Sequence, residues 1–81
     1  MLKTDSVKTR ENLSEFISQL AKDYEENGSA WENNNLSAFL NAMSAWVEDM
    51  DAYYENRNEH LPNNIPYRIF ADILMASKMY E

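Results

Sequence analysis

One glycine and two prolines punctuate a chain of 81 residues. Glycine supplies the positive backbone angles of tight turns, and proline breaks regular elements. A chain so poor in both favours a few long helices over a set of short strands. There is no internal repeat.

Hydrophobic periodicity predicts three helices. The first spans residues 10–27. Leu13, Phe16, Ile17, Leu20, Ala21 and Tyr24 recur at spacings of three and four and share one arc of the helix. Thr9 reads as its N-cap, Glu11 suits its first turn, and Gly28 suits the position after its last turn. Residues 28–35 connect, with Trp31 expected to tuck onto the core.

The second helix spans about residues 36–55, with Asn35 as its N-cap. Leu36, Leu40, Met43, Val47, Met50 and Tyr54 form one apolar row, and Phe39, Trp46 and Tyr53 form another. Ala38, Ala42, Ala45 and Ala52 form a third. A helix apolar around most of its girth is expected at the centre of the fold, packed on two sides. Residues 57–65 read as a polar loop. The third helix is expected from Pro66, at the first helical position, to about residue 80. Its inner face would be Ile69, Phe70, Ile73, Leu74, Ala76 and Tyr80. The fold class is all-α: a three-helix bundle in one domain over residues 1–81, its second helix central and residues 1–8 a flexible N-terminal arm.

From Thr9 onward the residues carry a resemblance. The block Phe39-Leu40-x-Ala42-Met43-x-Ala45-Trp46-Val47-x-Asp49-Met50-Asp51-x-Tyr53-Tyr54 resembles a family of small bacterial domains of unknown function. So do Trp31-Glu32-Asn33 with Leu36, and the close Phe70-Ala71-Asp72-Ile73-Leu74-x-Ala76-x-x-x-Tyr80-Glu81. Two positions depart from the pattern: Ala52, where glycine is expected, and Tyr67, where tryptophan is expected. The resemblance implies a bacterial source and a compact helical domain, and no activity.

Charge narrows the partners. The net charge is −7, split as +2 over residues 1–10 and −9 over the rest. Such a body repels nucleic acid and anionic membranes and attracts a basic protein. The same charge also serves plain solubility. No apolar run is long enough for a membrane span, and the start has no secretory pattern, so a cytoplasmic protein is expected. The three Asn-x-Ser sequons at Asn12, Asn27 and Asn35 are then coincidental.

Chemistry-bearing motifs are sparse. No cysteine, no phosphate-cradling glycine loop and no zinc-protease motif occurs, and no cofactor or metal is expected. Read as a calcium loop from Asp49, the segment puts Tyr54 where glycine is needed and His60 where glutamate is needed, which excludes it. His60 is the one histidine and lies in a loop without a nucleophile. Asp49 falls within the alanine row and is expected as a buried structural carboxylate, paired with a base or capping a helix. A small hydrolase using Asp49 or His60 is the least supported reading.

The favoured reading is a non-enzymatic acidic interaction module. Its contact surface would be Glu48, Asp51 and Glu55 with Tyr53 and Tyr54 at their edge. One concrete form is a bacterial immunity or antitoxin-like protein. A second candidate patch is Arg68, Met75 and Met79, which suits the alternative of a homodimer or accessory subunit.

Overall fold

The computed structural model describes residues 3–61 and 64–80. Three α-helices form: α1 over Arg10–Asn27, α2 over Leu36–Asn56 and α3 over Tyr67–Ser77, with a short 3-10 turn at Gly28–Ala30. No strand occurs among the described residues. The fold is the three-helix bundle that the periodicity predicts.

The helix starts follow the sequence closely. The Thr9 hydroxyl accepts from the Asn12 N–H at 3.0 Å, and the Asn35 side chain accepts from the Ala38 N–H at 2.8 Å. Each answers one of the donors that a helix start leaves unpaired. Pro66 is the N-cap of α3, with extended backbone, so that helix begins one residue later than expected.

The helix ends differ from expectation. Gly28 is right-handed (φ −58°) and carries α1 into the 3-10 turn instead of terminating it with a left-handed cap. Its lack of a side chain has another use: a Cβ there would lie 3.1 Å from the Tyr24 ring. The left-handed residue is Asn58 (φ 58°), after α2. The Glu59 N–H donates to the Tyr54 carbonyl at 2.8 Å and the Asn58 N–H to the Glu55 carbonyl at 3.0 Å. That pair of bonds is a Schellman closure, with asparagine in the place glycine usually takes.

The central helix is α3, not α2. Both α1 and α2 pack against α3, and they make no close backbone approach to one another. Ala71, with Leu74 and Met75, meets Phe16, Leu20 and Trp31 on the α1 side. Ile69 and Ile73, with Ala76, meet Trp46, Met50 and Tyr54 on the α2 side. The correction has a physical reason. The apolar girth of α2 is wider than the one neighbour it has, so part of it stays in water.

Within the expected arm, Val7 is docked rather than loose. Val7 is buried in the Phe16–Trp31 cluster and its N–H donates to the Thr4 carbonyl at 3.0 Å. Residues 1 and 2 of that arm, residues 62 and 63 of the expected loop, and Glu81 lie outside the described residues.

Asn33 ties the α1–α2 connection to the end of α3. Its N–H donates to the Lys78 carbonyl at 2.8 Å, and its Nδ2 donates to the Ser77 and Tyr80 carbonyls at 3.0 and 2.7 Å. The Ser77 and Lys78 carbonyls are ones that the end of α3 leaves unpaired, and that of Tyr80 lies just beyond it. Asn33→Ala should therefore cost about 1–3 kcal/mol in urea unfolding. Asn33→Asp should cost more, because it sets carboxylate oxygen against carbonyl oxygen. An unchanged midpoint in both variants would remove Asn33 from the list of residues that hold α3.

Candidate interaction surface

α2 distributes its charge unusually. It carries Glu48, Asp49, Asp51 and Glu55, all in its second half, and no lysine or arginine. Its first turn holds no acid and its last turn no base. The C-terminal end of a helix is the negative end of its dipole and favours cations. Asp51 and Glu55, four apart, add like-charge repulsion. Among the described residues none of these four carboxylates is in an ion pair: the pairs formed are Arg10–Glu11, Arg57–Glu59, Arg68–Glu59 and Lys78–Asp23.

Glu48, Asp51 and Glu55 are exposed, at spacings that align them on one strip. The two tyrosines expected beside them are elsewhere. Tyr54 is 2% exposed and belongs to the core cluster of Trp46, Met50, Ile69 and Ile73. Its hydroxyl donates to Asp72 at 2.5 Å. Burial, then the hydrogen bond to the Asp72 carboxylate, pushes that hydroxyl far above the usual tyrosine range. Tyr53 is exposed, but it lies about 140° round the helix from Glu48, since five residues separate them. There it packs on Trp46 and Tyr54, and Arg57 donates to its hydroxyl at 2.7 Å. The expected surface thus reduces to the acidic strip without its tyrosines.

Asp49 is exposed, which corrects the expectation of a buried carboxylate. Its partner is the Tyr80 hydroxyl, which donates to it across from the α3 end. That bond, with a smaller contribution from burial, raises the Tyr80 hydroxyl above its ordinary range. The alanine row is not one packed face: Ala42 is buried while Ala52 is exposed.

The second patch divides as well. Met75 packs on the Trp31 cluster, Met79 is exposed, and both line a shallow recess with Trp46, Tyr53 and Asp72. Arg68 is engaged by Glu59 at 3.3 Å. His60 is exposed in its loop. Among the described residues no three histidine, aspartate or glutamate side chains stand where they could share a metal ion. No helix among them is long and apolar enough to cross a membrane.

Trp31 organises the opposite end of the molecule. It stacks on Phe39 with ring centres 5.8 Å apart and meets the Tyr24 ring edge-on at 5.1 Å. Its indole N–H donates to Asp23 at 2.8 Å, and Lys78 pairs with Asp23 at 3.3 Å. The indole hydrogen bond, followed by those from Asn27 and Lys78, holds the Asp23 carboxyl below its ordinary value against the pull of desolvation. Tyr24, Trp31, Leu36 and Phe39 line an apolar cleft with the backbone of residues 33–35.

The chain matches DUF7660, a family of unknown function, over residues 9–81. It belongs to that family. No curated protein and no solved structure matches it. The family match begins at the α1 N-cap, so it takes in both the acidic strip and the Trp31 cleft.

Proposed function

We propose that this protein is a non-enzymatic interaction module of a bacterium that receives a basic protein partner on the outer face of α2. The observation that carries this reading is the uncompensated charge of that helix. Four carboxylates lie in the C-terminal half of α2, with no lysine or arginine inside the helix and the C-cap Arg57 engaged by Glu59. They lower the stability of the helix that bears them through like-charge repulsion and, at Glu55, an unfavourable place on the dipole. Departures of this kind from local preference concentrate where function requires them. A cationic partner would relieve the repulsion on binding and would be steered to the strip at a distance. An immunity or antitoxin-like protein that neutralises a basic toxin is one concrete form.

The reading predicts opposite effects on stability and on binding. Replacing Glu48, Asp51 and Glu55 together by lysine should raise Tm by roughly 2–6 °C, through relief of repulsion and better dipole complementarity. The same variant should lose a basic protein that the unaltered chain captures from lysate at low salt. Equal capture by both, or a fall in Tm, would remove the strip from the function. The exposed Met79 favours a second reading, self-association through the recess near Tyr53. Sedimentation at high concentration tests it, and a strict monomer ends it.

A further inference from the structure

α2 also leaves an apolar edge without a neighbour. Leu36 is 73% exposed, Leu40 50% and Val47 44%. Spacings of four and seven put them on one edge of the helix, about 16 Å long at the usual helical rise. At its N-terminal end this edge runs into the cleft of Tyr24, Trp31, Leu36 and Phe39, about 240 Å³ in volume. Tyr24 brings α1 to the same cleft, and Ile17, seven residues earlier and also exposed, extends that side. The acidic strip runs beside the edge: Asp51, four residues after Val47, lies only about 40° round from it.

We propose that this edge and cleft seat an amphipathic helix of the partner, with its apolar row along Leu36, Leu40 and Val47 and its lysines and arginines against Asp51, Glu48 and Glu55. One bulky apolar side chain of that helix fills the cleft, as anchor residues do in helix-in-groove recognition. This rests on the interaction reading above and assigns it a surface and a partner chemistry. Charge selects the occupant. A second copy of the chain would bring its own charge of −7, and α2 against α2 would set one group of unpaired carboxylates against another. A cationic helix answers them and buries the apolar edge in the same step. The outcome is a four-helix arrangement in which α2 gains the second neighbour that its sequence suits.

The probe is a synthetic peptide of leucine and lysine alone, about two heptads long, with its leucines in one helical row. One control has the same composition in scrambled order, and another keeps the leucine pattern with glutamate in place of lysine. The patterned peptide is expected to bind one-to-one at low salt and to move the amide resonances of residues 36–47. The double variant L40S/V47S, both exposed and so harmless to the fold, should weaken it about tenfold or more. The scrambled and glutamate peptides should bind no better than that variant does. Equal binding of patterned and scrambled peptides, insensitive to L40S/V47S but lost on reversing Glu48, Asp51 and Glu55, overturns the seat and leaves the acidic-strip reading standing. Failure of the patterned peptide, in a protein that still captures a basic partner through the strip, likewise overturns the seat alone. A dimer that L40S/V47S dissociates overturns the choice of occupant.

Discussion

Trp31→Ala is expected to destabilise the fold by about 3–5 kcal/mol, the range for emptying a large aromatic site. Trp31 is 8% exposed, and two neighbouring rings and an ion pair depend on it. Its loss removes the stack on Phe39, the edge contact with Tyr24, and the donor that holds Asp23 beside Lys78. Domains of this size have only about 5 kcal/mol or so to lose. Urea unfolding of the variant should therefore begin near zero denaturant. Trp31→Phe separates the contributions, because it keeps an aromatic ring and removes the N–H. It should cost about 1–2 kcal/mol. The Asp23 carboxyl titrates below its ordinary 3.8 in the fold, so the stability it contributes is complete above that pH and is lost as pH falls through the lowered value. Trp31→Phe removes the main cause and should flatten that acid limb. An acid limb identical to that of the unaltered protein would mean that the indole N–H does not hold the carboxylate.

Tyr54→Ala should cost a similar 3–5 kcal/mol, since it empties the centre of the α2–α3 interface. Tyr54→Phe keeps the ring and should cost about 1 kcal/mol for the bond to Asp72. The two variants differ most at high pH. In the fold the Tyr54 hydroxyl resists ionisation, because burial and then the Asp72 carboxylate disfavour the phenolate. A pKa raised above the unfolded value of 10.0 means that the folded state holds its proton longer. The stabilisation is then complete below pH 10 and falls as pH rises past it, at about 1.4 kcal/mol per pH unit for one proton. Tyr80, raised mainly by its bond to Asp49, acts in the same direction. Urea midpoints measured from neutral pH upward should drop steeply in the unaltered protein and less steeply in Tyr54→Phe. Parallel slopes would show that other groups govern the alkaline limb.

The helices themselves could be read from the chain because their signals are local. Thr9 and Asn35 cap within three residues of themselves, and the row Leu13, Phe16, Leu20 repeats at a period that only a helix has. What could not be read was how many neighbours each helix has. A helical wheel groups Leu36, Leu40 and Val47 on one edge, but it carries no information on whether another helix covers that edge. The girth of α2 therefore suggested a central position that α3 holds. Tyr54 was lost from the contact surface for a related reason. Its neighbour Tyr53 lies about 100° away, and the wheel does not say which of the two turns inward. Asn33 left no periodic signal at all, since its partners lie 44 and 47 residues on. The left-handed residue after α2 was findable: Asn58 follows directly on the last turn, and asparagine ranks next to glycine in that conformation.

The central place of α3 has a consequence for how the chain acquires its structure. The helix that joins the other two is the last of the three to be synthesised. α1 and α2 make no close backbone approach to one another, so the faces that they turn to α3 stay bare until α3 is in place. Most of a protein helix's stability comes from packing its apolar face rather than from propensity. Both interfaces need residues 67–77, and they are expected to form together once that helix is available. At the ordinary pace of about 5–20 residues per second, the last residue of α3 is added about a second or more after the last of α2. Through that interval the carboxylates of α2 would hold such chains apart from one another, so the charge proposed to draw a basic partner to the finished protein would also guard the unfinished one.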